Sequence, residues 1–461
     1  MDVVVIGAGP VGENVADRTA GAGLETVIVE AELVGGECSY WACMPSKALL
    51  RPGAALRAAR AVRGVTGGEL RPHAILERRD EFAAHWHDDG QVRWLSSAGI
   101  ELIRGHARLA GEREVRVETT TGESALRARH AVVVATGSVP RIPDTPGLRE
   151  SRPWTSREAT SVQHAPGRVA VIGGGVVAVE AATFLRDLGS EVVVLARGAL
   201  LHGMEPFAGE AVRDGLRARG VEVREGASVA SVVRDVDVRL TLDTGQTLHA
   251  DEVLVATGRT PRTADLGLET VGLEPGAPVA VDDTLRSRAL SWLYAVGDAN
   301  GRALLTHQGK YQARAAGEAI VARATGEPID DATWGRHAAS ADHAAVPQVV
   351  FTDPEVASVG LTAARAEESG RRHRVLDYDL ADVAGAGLAA DDFAGRVRAV
   401  VDEDRRVLAG LTLVGPGVGE MIHAATIAVV GEVPLDRLWH AVPSYPTVGE
   451  FWLRLLEEYG L

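Results

Sequence analysis

With 461 residues, 46% of them hydrophobic and 24% charged, the chain is long enough for two to four domains with substantial cores. Its formal net charge of −15 argues against nucleic acid as a partner, because phosphate binding needs clustered Lys and Arg. No apolar run reaches the length needed to cross a bilayer, and a first strand starting at residue 2 leaves no room for a leader segment, so the expectation is a cytoplasmic protein without a membrane partner.

The chain opens on a β-branched apolar run, Asp2–Ile6. The turn Gly7-Ala8-Gly9-Pro10-Val11-Gly12 follows, then an Ala-rich helical segment and a second strand, Thr26–Val29, ending in Glu30. Next comes the stretch Gly35-Gly36-Glu37-Cys38, with the chain's other cysteine at Cys43. Two cysteines four residues apart match no usual zinc spacing, which calls for two intervening residues and a second ligand pair. Spacing alone leaves two readings open, a redox pair or two buried neighbours. Two cysteines in a chain of this length read better as redox chemistry than as a secreted disulfide framework.

Further along, a strand at 131–134 runs into Ala135-Thr136-Gly137. The opening grammar then recurs: Val169–Ile172, the turn Gly173-Gly174-Gly175-Val176-Val177-Ala178, a helix to about Leu188, and the strand Glu191–Ala196 followed by Arg197. A strand at 253–255 ends in Ala256-Thr257-Gly258, and another at 293–295 runs into Gly297-Asp298. A His/Ala-rich stretch between roughly 335 and 350 reads as a linker, and the segment after it as a separate α+β module without a glycine fingerprint.

A lone G-x-G-x-x-G is weak, but here two copies each follow a strand, open a helix and precede a polar residue at the second strand's end. The glycines allow a tight turn and close approach of a pyrophosphate, which then sits at the positive end of a helix dipole. Ala178 in the third glycine position is an accepted variant. Two such units imply two dinucleotides, or one and a decayed copy. Glu30 suits the free ribose hydroxyls of FAD or NAD. Ala196 and Arg197 suit a 2′-phosphate, so the second site is expected to prefer NADPH over NADH.

Taken in order, these motifs, together with Cys43-Met44-Pro45-Ser46-Lys47 and Phe351-Thr352-Asp353-Pro354-Glu355-Val356, make the chain resemble the flavoprotein disulfide reductases along its whole length. That family includes dihydrolipoamide dehydrogenase, glutathione reductase and mercuric reductase. The resemblance implies an α/β fold with two Rossmann-like dinucleotide-binding domains, for FAD and NAD(P), and a C-terminal α+β interface domain. The expected division is a first FAD segment at 1–148, an NAD(P) domain at 149–270, a second FAD segment at 271–340 and an interface domain at 345–461. It also implies a homodimer whose active site is completed in trans, and hydride flow from NADPH through FAD to a redox-active Cys38–Cys43 disulfide. In that scheme Cys43 faces the flavin and Cys38 meets the substrate, while Lys47 lies beside the flavin with Glu180 as its partner. Asp298 contacts the ribityl chain. Gly7, Gly9, Gly12, Glu30, Gly36, Thr136, Gly137, Gly297 and Asp298 are expected to hold FAD, and Gly173, Gly175, Arg197 and Gly258 the pyridine nucleotide.

Two departures set this chain apart. Where disulfide-reducing members carry a C-terminal His-Pro-Thr-x-x-Glu, this chain has Tyr445-Pro446-Thr447-Val448-Gly449-Glu450. A phenol titrates near ~10 and an imidazole near neutrality, so Tyr445 is expected to be a poor acid–base partner for a thiol, with Glu450 left without its usual His to orient. Glu37, Tyr40 and Trp41 also replace smaller family residues around the cysteines. The two aromatics either narrow the approach and offer a stacking surface to a planar acceptor, or simply pack against the interface module. Three functions stay open: reduction of a disulfide or other small acceptor unlike lipoamide, a quinone-type or mercuric-reductase-like flavin reductase that does not use the usual dithiol acid–base step, and a flavin-bound redox sensor.

Overall fold

Val3, Val4, Val5 and Ile6 are all buried, as in a central strand of a parallel sheet covered on both faces. A computed structural model, which describes residues 1–461, places this strand in the middle of a five-stranded parallel sheet. The order across it is Leu293–Ala295, Ala131–Val134, Val3–Ile6, Thr26–Glu30 and Glu101–Arg104. Val3 pairs with Thr26 on one side and with Ala131 on the other. Helix Pro10–Gly21 makes the first crossover, and a three-stranded antiparallel sheet spans residues 106–127. This sheet belongs to the first of two compact units, formed by residues 1–45, 80–140 and 259–343.

The second unit comprises residues 46–79, 141–258 and 344–461. Its parallel sheet runs Glu222–Glu225, Glu191–Ala196, Arg168–Ile172, Glu252–Val255, with Val176–Asp187 as the crossover helix. A five-stranded antiparallel sheet is built from residues 348–415. Val350, Val356 and Val414 of that sheet share one buried apolar cluster with Val169, Val171 and Phe184. Each such side chain contributes about 1.5–3 kcal/mol relative to exposure. Polar ties reinforce the packing: Ala363 N–H donates to Glu205 Oε1 at 2.7 Å, and Arg398 donates to Glu205 Oε2 at 2.9 Å.

The stretch expected to be a linker is firmly packed in its first half. His337, Ala338, Ala339 and Ser340 are buried, and the Asp342 side chain is 1% exposed. That carboxylate accepts from Gln308 at 2.7 Å and Gln312 at 3.0 Å, both on helix Thr306–Thr325. Burial raises the Asp342 pKa, against the pull of its amide partners and Arg302. The composition looked loose because this segment is anchored through a buried carboxylate and not through an apolar period.

Candidate active site

Cys38 lies in the five-residue helix Gly36–Tyr40, and Cys43 is the first residue of helix Cys43–Arg60. Gly36 has φ +59°, and a Cβ there would come within 2.7 Å of Gly9 Cα, so only glycine lets this helix lie so close to the first glycine turn. Both cysteines are thiols, not joined in a disulfide, and half-buried. Thr306 Oγ1 stands 3.3 Å from Cys38 Sγ and 3.3 Å from Cys43 Sγ. Its neighbour Cys43, through a hydrogen bond between the thiols, together with burial, pushes the Cys38 pKa up, while Thr306 pulls the other way. Two thiols this close titrate as a pair, the loss of one proton opposing the loss of the second.

Thr306, at the start of a 20-residue helix, was not singled out in the sequence. Nor was a polar chain beside Cys38. Arg259 pairs with the Glu37 carboxylate, and donates from Nε to Ser138 Oγ at 2.7 Å and from Nη2 to the Ser138 carbonyl at 2.9 Å. Ser138 Oγ in turn donates to Asp298 Oδ2 at 2.5 Å. Tyr40 corrects one of its two expectations: at 1% exposure it offers no stacking surface. It is buried in the first unit, donates to the Val34 carbonyl at 2.9 Å, and meets Trp41 edge-on at 5.6 Å between ring centroids. Trp41 is half-buried.

The first glycine turn is shaped to receive an anion. Gly7 follows the strand with φ +101°, and a Cβ on Gly12 would lie 1.9 Å from the Gly7 carbonyl oxygen. Gly9 caps helix Pro10–Gly21 without a side-chain hydrogen bond, leaving backbone N–H groups directed outward. Glu30 braces the turn: Oε2 accepts from Ala8 N–H at 2.7 Å and Oε1 from Glu32 N–H at 2.8 Å. Each carboxylate oxygen keeps a further lone pair for another donor. Thr136 Oγ1 is buried without a partner, and Gly137 turns the chain beyond it with φ +71°. Gly297 donates to Gln312 Oε1 at 2.8 Å and opens the turn that carries Asp298.

In the second unit Gly173 occupies the place of Gly7, with φ +137°. Gly175 caps helix Val176–Asp187, again without a side chain, and would leave a Cβ in open space. Gly258 turns the chain with φ +115°. Unlike Thr136, its counterpart Thr257 has its hydroxyl engaged, donating to the Arg141 carbonyl at 2.7 Å. Arg197 is exposed at the end of its strand. Glu180, on the same crossover helix, is buried. Its Oε2 meets Lys47 Nζ at 2.7 Å and its Oε1 accepts from Phe351 N–H at 3.0 Å. Lys47 also lies 4.8 Å from the centroid of the Phe351 ring. Phe351, too, carried no signal as a site residue in the sequence.

At the C-terminal end Tyr445 is exposed, whereas Glu450 is buried with Oε2 lacking any hydrogen bond. Cys38, Cys43 and Asp298 thus sit in the first unit, and Lys47, Glu180, Arg197, Tyr445 and Glu450 in the second.

Two Rossmann modules with uncapped glycine-turn helices, and a thiol pair sharing one hydroxyl, define an oxidoreductase that works with dinucleotide cofactors. The chain belongs to the pyridine nucleotide-disulphide oxidoreductase family, whose pattern matches residues 1–323, with the family's dimerisation domain at residues 346–455. Among curated relatives, mercuric reductase from Shigella flexneri is 32% identical over 464 residues, covering 98% of this chain and 79% of the relative. Dihydrolipoyl dehydrogenase from Chlamydia muridarum is 31% identical over 462 residues, covering 98% and 95%. The crystal structure of LpdA from Mycobacterium tuberculosis superposes with a TM-score of 0.83 at 25% identity over the whole of both chains. The HOCl-induced flavoprotein disulfide reductase RclA from Escherichia coli has the same fold, with a TM-score of 0.83 at 23% identity over 99% of each chain.

Membership implies FAD and a pyridine nucleotide as cofactors. The residues fit them: uncapped helix N-termini at Gly9 and Gly175 suit phosphates, and the orphaned Thr136 hydroxyl awaits a polar partner. No helix is long and apolar enough to cross a membrane.

Proposed function

We propose that this oxidoreductase draws reducing equivalents from NADPH and delivers them, through FAD and the Cys38–Cys43 pair, to a disulfide or another small acceptor unlike lipoamide. The observation that supports the reading is the thiol pair itself: two thiols, both 3.3 Å from one hydroxyl, which can lose two electrons and two protons together as a disulfide. Bound FAD supplies the two-electron exchange between the nicotinamide and the dithiol. The rest falls to the chain's own residues. Thr306 can donate to whichever sulfur is the thiolate and so steady it. By the family resemblance, Cys38 is the thiol that exchanges with the acceptor, and Cys43 the one that faces the flavin. Lys47, held by Glu180, would place a cation beside the flavin, and Asp298, oriented by Ser138, would meet its ribityl chain. Arg197 is free to pair with a 2′-phosphate.

The domain division 1–148, 149–270, 271–340 and 345–461, a cytoplasmic homodimer, and Tyr445 and Glu450 acting in trans are part of the same proposal. The dimerisation domain supports the homodimer. Tyr445 in place of His also supports a second reading, in which the acceptor, such as Hg(II), needs no proton delivered to a leaving thiol.

The discriminating experiment measures NADPH turnover with 5,5′-dithiobis(2-nitrobenzoate), menadione and Hg(II), comparing wild type with the Cys38→Ser/Cys43→Ser variant. Loss of disulfide turnover in the variant, with the flavin still bleached by NADPH, supports the proposal. Full turnover without either thiol would refute it and leave direct reduction from the flavin.

A further inference from the structure

We propose that Arg259 is a positioning residue for Cys38, acting through Glu37; the inference rests on the reading of Cys38–Cys43 as the working pair. Helix Gly36–Tyr40 has five residues, and Gly35 caps it in a left-handed conformation without a side-chain hydrogen bond. A single turn is too short to hold itself by backbone bonding, so its place must come from tertiary anchors. Four are present: the Trp86 indole N–H on the Tyr40 carbonyl, the Tyr40 hydroxyl on the Val34 carbonyl, Thr306 on the Cys38 sulfur, and Arg259 on the Glu37 carboxylate.

The Arg259–Glu37 anchor is the strongest kind. Both side chains are about four-fifths buried, at 20% and 21% exposure, so removing one partner leaves an unpaired, poorly solvated charge on the other. Arg259 is itself fixed. It opens the strand Arg259–Pro261, which pairs antiparallel with Ser138–Pro140, and two of its nitrogens reach Ser138. A guanidinium fork grips a serine hydroxyl, a carbonyl and a carboxylate in one rigid plane, where a lysine ammonium is a point charge on a flexible stem. Consecutive Cα atoms are a fixed distance apart, so holding Glu37 holds Cys38 against Thr306. Through Ser138 the same guanidinium also orders Asp298. Glu37 stands where relatives carry a small residue, so the clamp belongs to this chain's departure around its cysteines.

The test is alkylation of the full-length protein, fully reduced with dithiothreitol, by iodoacetamide. The Cys38-to-Cys43 rate ratio is read by mass spectrometry from pH 6 to 9 for wild type, Glu37→Gln, Arg259→Gln and the double variant. Positioning predicts that both single variants free Cys38 and raise the ratio at least fivefold, with the double variant no higher than the larger single. A purely electrostatic role would move the singles in opposite directions, because one removes a negative charge and the other a positive one. That result, a ratio within twofold of wild type in both singles, or effects that multiply in the double, would overturn the proposal. Should Arg259→Gln fail to fold, Arg259→Lys takes its place: it keeps the positive charge and loses the planar fork, so a ratio raised at least fivefold supports positioning and a ratio within twofold of wild type overturns it. The readout needs neither NADPH nor flavin reduction: a wild-type protein that NADPH fails to reduce would count against the functional reading, and the alkylation ratio would still judge the clamp.

Discussion

Tyr445 and Glu450, five residues apart, lie in opposite environments: the phenol is 76% exposed, while the Glu450 carboxylate is 7% exposed and its Oε2 has no hydrogen-bond partner. The backbone between them is held in place. Thr447 Oγ1 donates to the Ser444 carbonyl at 2.7 Å, and a Cβ on Gly385 would lie 2.1 Å from the Thr447 carbonyl carbon. A buried carboxylate with an unpartnered oxygen is thus fixed five residues from Tyr445, which stands where the family motif that the sequence resembles has a His.

Restoring the imidazole should therefore restore the missing chemistry. Tyr445→His is expected to raise lipoamide or glutathione reductase activity by about tenfold or more, since a well-placed general acid–base contributes about 10²–10⁴-fold. Steady-state assays with both disulfides check it. No gain would mean that something other than Tyr445 excludes these substrates, with half-buried Trp41 the next residue to vary.

Cofactor choice should follow Arg197. The side chain is exposed at the end of its strand, and a charge-assisted bond to a 2′-phosphate is worth about 1.5–3 kcal/mol. Arg197→Ala is expected to raise KM for NADPH by about tenfold or more and to leave KM for NADH nearly unchanged. Equal or better kcat/KM with NADH in the unaltered protein would defeat the assignment.

Glu13 should make stability depend on pH. It lies in the first turn of helix Pro10–Gly21, and its Oε1 is buried without a partner. Burial, with a smaller push from Glu30 and against Lys310, raises its pKa from 4.5 to about 7. A carboxyl with a raised pKa favours the fold fully below its unfolded value, and that stability is lost as pH rises through the folded value. Between about pH 4.5 and pH 8 the loss is on the order of 3 kcal/mol. Glu13→Gln, which cannot ionise, should flatten this dependence and raise the thermal midpoint at pH 8 by several degrees. Circular dichroism melts of both proteins at pH 5 and pH 8 measure it; parallel midpoints at the two pH values would contradict it.

What the sequence made legible is what its local grammar can encode. Strand, glycine turn, helix and strand lie within about thirty residues, and both modules formed as expected, with Glu30 at the end of its strand. The C-x4-C pair was equally visible. The residues that complete the site are remote: Thr306 is 263 positions from Cys43, and Arg259 is 222 from Glu37. No periodicity or spacing links positions so far apart, so Glu37 showed only as an oddity without a partner. The sequence left Tyr40 between two roles because an aromatic next to a cysteine looks the same whether it faces a substrate or the core. The stretch at 335–350 does hold a division between the two units, at His343–Ala344, but the packing of its first half was not legible, because a single buried carboxylate, Asp342, anchors a composition that otherwise resembles a loop.

The most direct measurement is an anaerobic titration of the purified yellow protein with NADPH, followed by absorbance. Uptake of two electrons per subunit should produce a long-wavelength band from a thiolate against the flavin, and Cys43→Ser should abolish that band without removing the flavin. A protein that retains no flavin, or one whose flavin bleaches fully with the first two electrons and shows no such band, would contradict the account.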